Sequence, residues 1–175
     1  MTPEVEQKHI VVITDDSSSE RALIKEGTIG STEATLSIYE TETADELYNV
    51  LDRLLYEKQV PGLIILDFLL GAVNGLTVAN YIRKHYPPIP VVMFGSCLGS
   101  GDYIADLYRM GINAYIVKPE TAGEYNKVMS KLVDVWLHQP QPSWSFRSTN
   151  RINSRGGSNK RSMFDRRRYD RRSSR

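Results

Sequence analysis

The chain has a single cysteine, Cys97, so no intrachain disulfide can brace its fold, which fits a reducing compartment. Its three histidines, His9, His85 and His138, stand too far apart for the spacing of a histidine metal site. Long apolar runs are also missing. The polar, acidic start MTPEVEQKHI leads into only four apolar residues, Ile10 to Ile13, which predicts no signal peptide, no membrane span and a cytoplasmic protein. Past His138 aliphatic side chains almost vanish, so residues 140–175 lack the apolar surface needed to offset the entropy of ordering.

What is present divides by charge. The formal net charge of +1 conceals an acidic body and a basic tail. Residues 1–139 hold 11 Lys and Arg against 19 Asp and Glu, a net of −8; residues 140–175 hold 11 against 2, a net of +9. A chain of 175 residues suffices for one domain with a core plus an appendage. The domain is expected over 1–139 and a basic tail, disordered in isolation, over 140–175.

As far as residue 138, apolar runs alternate with helical patterns. Strands are predicted over 10–13, 35–39, 63–66, 91–94 and 114–117. Helices are predicted over 17–25, with Ala22, Leu23 and Ile24 inward and Gly27 as the stop, and over 43–57. Three more follow: one marked by Leu76, Ala79 and Ile82, one over 102–110 with Ile104, Leu107 and Tyr108 inward, and one over 121–137 buried through Val128, Leu132, Val135 and Trp136. Five strand–helix repeats predict an α/β fold, a doubly wound parallel sheet with right-handed crossovers.

In such sheets ligands bind beyond the carboxyl ends of the strands. The first strand is followed there by Asp15 and Asp16, the third by Asp67, the fourth by Gly95-Ser96-Cys97 and the fifth by Lys118-Pro119. Three neighbouring carboxylates stay ionised together only beside a cation. An all-oxygen set suits Mg²⁺, with Lys118 as a fixed ammonium. A carboxylate beside a divalent ion, an ammonium and a hydroxyl is equipped as a nucleophile for phosphoryl transfer. The alternative is that Asp15 caps the first helix and Asp67 merely ends a strand.

The pair DD at 15–16, LDFLLGAVNGL at 66–76, the hydroxyl-bearing position after the fourth strand and AYIVKP at 114–119 together resemble the receiver domain of two-component response regulators. The likeness covers residues 9–138, and the closing VDVWL resembles the stand-alone receivers. It implies a flavodoxin-like (βα)5 sheet of strand order 2-1-3-4-5. It also implies that Asp67 is the phosphoacceptor and that Asp16 binds Mg²⁺ directly, Asp15 largely through water, with the backbone carbonyl of Leu69 as a further ligand. Ser96 would be the hydroxyl that closes on the phosphoryl group, Tyr115 the aromatic that swings inward, and Lys118 the phosphoryl contact, with a cis bond to Pro119.

Two features depart from the family pattern. Gly71 stands where the family usually has proline, which should loosen that loop. Counting back from Lys118 and Gly111 puts Ser96 at the switch position, whereas counting forward from Pro90 puts Gly95 there; Ser96 is favoured because glycine has no donor. Leu69 offers no polar group to orient a hydrolytic water, which predicts a long-lived phosphoryl state.

The expected function is phosphorelay signalling. A histidine kinase or phosphotransfer protein donates to Asp67, the chain catalyses only its own phosphorylation and dephosphorylation, and the output is a changed affinity for a downstream protein. Two other classes stay open. One is a nucleic-acid-binding regulator acting through the basic, aromatic-interleaved tail. The other is a scaffold of this fold that never takes phosphate. The tail also suits an acidic protein face, an anionic lipid surface, its own acidic domain, or no partner at all.

Overall fold

A computed structural model describes residues 9–86, 88–96 and 101–138, with the backbone alone for 101–103. Expectations for Cys97, for the 140–175 tail and for its boundary at 139 lie outside the described residues. In chain order the elements are β1 (His9–Thr14), α1 (Ser18–Ile29), β2 (Leu36–Thr41), α2 (Ala44–Tyr56), β3 (Leu63–Asp67), β4 (Leu69–Leu70), β5 (Val73–Asn74), α3 (Gly75–His85), β6 (Val91–Gly95), α4 (Gly101–Arg109), β7 (Ala114–Val117) and α5 (Ala122–Trp136). The main sheet runs β2-β1-β3-β6-β7 and is parallel throughout. Because a two-residue hairpin takes the labels β4 and β5, this is the expected 2-1-3-4-5 order of the flavodoxin-like fold.

The continuous apolar runs follow from burial on both faces. Along β1, β3 and β6, alternate residues enter two separate cores. Val12, Ile64, Leu66, Val91 and Met93 pack with Leu47, Leu51 and Leu54 of α2 and with Val78, Ala79 and Ile82 of α3. Val11, Ile13, Leu63, Ile65, Val92 and Phe94 pack with Ile24 of α1 and with Tyr125, Met129, Leu132 and Val133 of α5. At roughly 1.5–3 kcal/mol for each fully buried aliphatic side chain, these two layers dominate the stabilisation.

Local chemistry fixes the helix starts. The side chains of Ser17, Thr43 and Thr121 accept from the amides of Glu20, Glu46 and Glu124, and Thr121 with Glu124 completes a reciprocal capping box. The first helix runs on past Gly27, which was expected to end it. A side chain there would meet Met129 Cγ at 2.9 Å, so the glycine lets α1 and α5 approach closely. Within α1, Ala22 is exposed and the buried positions are Arg21, Ile24, Gly27 and Thr28. Tyr108 and Val135, also expected inward, are 47% and 52% exposed, while Leu107 and Val133 on the same helices are fully buried.

Candidate functional site

The carboxyl edge of β1 and β3 gathers the charged groups. Asp15 and Asp16 follow β1, and Asp67 is the last residue of β3. One carboxylate oxygen from each lies within 4.8 Å of the others. Asp15 and Asp67 are buried, whereas Asp16 is exposed and opens the cluster to solvent.

From the end of β7, Lys118 reaches across this edge. Its Nζ is 3.0 Å from Asp15 Oδ2 and 2.9 Å from Asp67 Oδ1, and it also pairs with Glu20 Oε2 on the first turn of α1. Burial pushes the Asp67 carboxyl above its ordinary range, and the Lys118 ammonium pulls it part of the way back. Burial raises Asp15 likewise, opposed by the Ser17 amide and by Lys118. For Lys118 burial acts downward, but Glu20, Asp67 and Asp15 together outweigh it and hold the ammonium above its ordinary value. One ammonium is thus shared by three carboxylates, fewer cationic groups than the cluster has acids.

Around the carboxylates the backbone fixes their aim. Asp15 Oδ1 accepts from the Ser17 amide at 2.8 Å, and its carbonyl accepts from Arg21 Nη1 at 2.6 Å. The cap of α1 is thus Ser17, and Asp15 is free of the capping duty that offered an alternative reading of it. Asp16 Oδ2 accepts from the Gly71 amide at 2.9 Å. Gly71 turns the β4–β5 hairpin at φ +58°, a conformation closed to proline, and donates an N–H that proline lacks. The departure expected to loosen this loop instead ties it to Asp16. Gly75, the first residue of α3, abuts the end of β3: a Cβ there would lie 2.2 Å from the Asp67 carbonyl oxygen.

Tyr115 packs edge-on against Phe68, with ring centroids 6.5 Å apart. β6 extends through Gly95, and Ser96 follows it as an exposed residue. Leu69 opens β4 with its side chain 54% exposed, and its amide hydrogen-bonds to Asp67. The expected cis bond at Pro119 is not formed; the described residues contain no cis peptide. Trans is the ordinary isomer even before proline, and Lys118 meets its partners with the bond in that state.

Thus Asp15, Asp16, Asp67 and Lys118 converge as the sequence predicted. Glu20 was missed, because three residues after a serine cap it reads as an ordinary helix-start acid. The donor set is all oxygen with one solvent-facing side, which fits a hard divalent cation that keeps part of its water. Asp15, Asp16 and Asp67 can hold such an ion.

Residues 11–130 match the family model described as the response regulator receiver domain. A probable transcriptional regulator, ycf27, from Galdieria sulphuraria is 33% identical over 115 residues, which are 65% of this chain and 40% of that protein. The ycf27 protein of Cyanophora paradoxa is 28% identical over 166 residues, 92% of this chain and 64% of the relative. The chain thus spans about two-fifths to two-thirds of the length of these relatives. Among solved structures, the phosphorylated cyanobacterial phytochrome response regulator RcpA superposes with a TM-score of 0.69 at 21% identity, covering 78% of this chain and all of that one. The Mn²⁺-bound response regulator Rcp1 gives 0.64 at 22% identity, over 76% and 97%. With its fold, its acidic strand-end cluster and this match over most of the described residues, the chain belongs to the response regulator receiver domain family of two-component signalling.

Proposed function

We propose that this chain is a Mg²⁺-dependent phospho-accepting receiver, with Asp67 taking the phosphoryl group from a histidine kinase or phosphotransfer protein. The observation that carries the reading is Lys118, whose ammonium lies within 3.0 Å of both Asp15 and Asp67 beside the exposed Asp16. Asp15, Asp16 and Asp67 would hold Mg²⁺, with the carbonyl of Leu69 as a further ligand, and the bound ion supplies charge compensation for the transferring phosphoryl oxygens. An Asp67 carboxylate oxygen forms its bond to phosphorus as the donor's P–N bond breaks, and the imidazole nitrogen keeps the electron pair. Lys118, already against Asp67, meets the new negative charge without reorganising. Ser96, the first hydroxyl past β6, closes on the phosphoryl group.

The output is a change in protein–protein affinity at a face away from the acceptor. The domain occupies 1–139 and the basic tail 140–175. Incubation with Mg²⁺ and a small acyl phosphate, followed by intact-mass and peptide mapping, tests the assignment. One phosphoryl group on the peptide containing Asp67 is expected, lost without Mg²⁺ and in Asp67→Asn. Labelling that survives in Asp67→Asn overturns it.

A second reading rests on the +9 tail and on relatives named as transcriptional regulators. The tail contacts a nucleic-acid backbone, and a gel shift that weakens steeply with salt supports this. Retardation that is equal with and without residues 140–175 ends it.

A further inference from the structure

At the end of β6 lies a space that only glycine leaves open. Register places Met93 opposite Tyr115 and Gly95 opposite Val117, so Met93, Gly95 and Tyr115 address the same face of the sheet. From β7 the Tyr115 side chain leans toward the carboxyl edge and crosses Gly95. A Cβ on Gly95 would fall 2.0 Å from Tyr115 Oη, 2.7 Å from Cζ and 3.0 Å from Cε2. Any side chain at this position would share space with the phenol. The ring also meets Phe68 edge-on, and the amide of Phe68, the residue after Asp67, donates to the Phe94 carbonyl at 2.7 Å. Tyr115 therefore touches both the residue after Asp67 and the last residue of β6, half-buried against the core that α2, α3 and α4 cover.

The family resemblance implies an aromatic that swings inward when a hydroxyl closes on the phosphoryl group. In this chain the ring is already inward and its place is provided by a missing side chain. We propose that Gly95 is a seat for Tyr115, which stays seated whether or not Asp67 carries a phosphoryl group. A signal from Asp67 then does not depend on travel of the ring. The contact that would be broken is with the far end of one side chain, so an added methyl at Gly95 expels the ring and leaves the strand in place. The proposal rests on the reading of Asp67 as the phosphoacceptor, and the experiment separates the two.

The full chain labelled with 3-fluorotyrosine at position 115 is followed by ¹⁹F NMR with and without Mg²⁺ and beryllofluoride, whose own bound signal reports occupancy of Asp67. The expected result is a Tyr115 signal that stays in place as the bound beryllofluoride signal grows. In ligand-free Gly95→Ala the Tyr115 signal moves to the position of a solvent-exposed tyrosine. A wild-type Tyr115 signal that shifts in step with beryllofluoride overturns the seat, as does a Gly95→Ala spectrum identical to wild type. Absence of any bound beryllofluoride overturns the phosphoacceptor reading instead, and the ligand-free comparison still decides the seat. Should Gly95→Ala prove too unstable for spectra, melting of the single and double variants replaces them. Gly95→Ala is expected to lower Tm in the Tyr115 chain and to leave it unchanged in Tyr115→Ala; an equal drop in both overturns the proposal.

Discussion

Replacing Lys118 by methionine keeps most of the apolar stem and removes the only cation within 3.0 Å of Asp15 and Asp67 among the described ion pairs. Each of those contacts, at 2.9–3.0 Å, has a Coulomb energy of about 5 kcal/mol at an effective dielectric constant near 20, before the cost of dehydrating the ammonium. Leaving buried carboxylates without their partner costs about 3–5 kcal/mol in comparable cases. That is a large fraction of a domain stability of roughly 5–15 kcal/mol, and corresponds to a fall in Tm of about 10–20 °C. A divalent ion held by the same carboxylates is expected to bind the variant more tightly than wild type, with the gap narrowing as Mg²⁺ rises. At a hundredfold excess over Kd the ion returns about 2.7 kcal/mol.

The deficit also depends on pH. Asp15 and Asp67 carry raised folded values, so the folded state holds their protons more tightly than the unfolded chain, and metal-free stability falls as pH rises from the ordinary 3.8 through those folded values. Lys118 lowers both carboxyls, so its loss extends this window upward, and Lys118→Met compares least badly with wild type in acid. The proton of Lys118 itself, held above its ordinary 10.5, contributes equally throughout that range and is lost only in strong alkali. Urea melts of the two proteins from pH 4 to 8, with and without Mg²⁺, read all of this. A metal-free variant within about 0.5 kcal/mol of wild type at neutral pH, or a gap indifferent to Mg²⁺, refutes the reasoning.

Three further outcomes follow from the site's surroundings. Gly71→Pro removes the amide that holds Asp16 and forbids the turn conformation, so Mg²⁺ affinity by calorimetry falls about tenfold or more, whereas Gly71→Ala keeps the amide and loses mainly stability. Gly75→Ala forces apart α3 and the Asp67 backbone, lowering stability by about 1–3 kcal/mol in chemical denaturation and slowing phosphorylation; a silent substitution contradicts the contact at that carbonyl. Leu69→Asn supplies a polar group beside Asp67 and is expected to shorten the acyl-phosphate half-life several-fold; an unchanged half-life counts against a role for Leu69 in slowing hydrolysis.

The architecture was legible because the central strands β1, β3 and β6 are covered on both faces, and a run such as Leu63–Leu66 has no other comfortable place than a parallel sheet. The carboxylates and Lys118 were legible for a related reason: topology sends every strand end to one edge, so order along the chain became proximity in space. What was hidden depends on contact across that edge. Glu20 reaches Lys118 from another layer, Gly27 faces Met129 a hundred residues away, and Gly71 and Gly75 act through backbone atoms that no periodicity records. The helix-face errors at Ala22, Tyr108 and Val135 arose where apolar residues adjoin, since each step turns the helix by about 100° and only the packing partner decides which neighbour turns inward.

Anomalous diffraction from crystals of the full chain grown with Mn²⁺ in place of Mg²⁺ decides whether the strand-end carboxylates hold a divalent ion. A single strong peak bonded to carboxylate oxygen of Asp16 and Asp67, with Asp15 in its surroundings and Lys118 still against Asp67, is the predicted result. A site devoid of metal at saturating Mn²⁺, with the ion held elsewhere, contradicts the account.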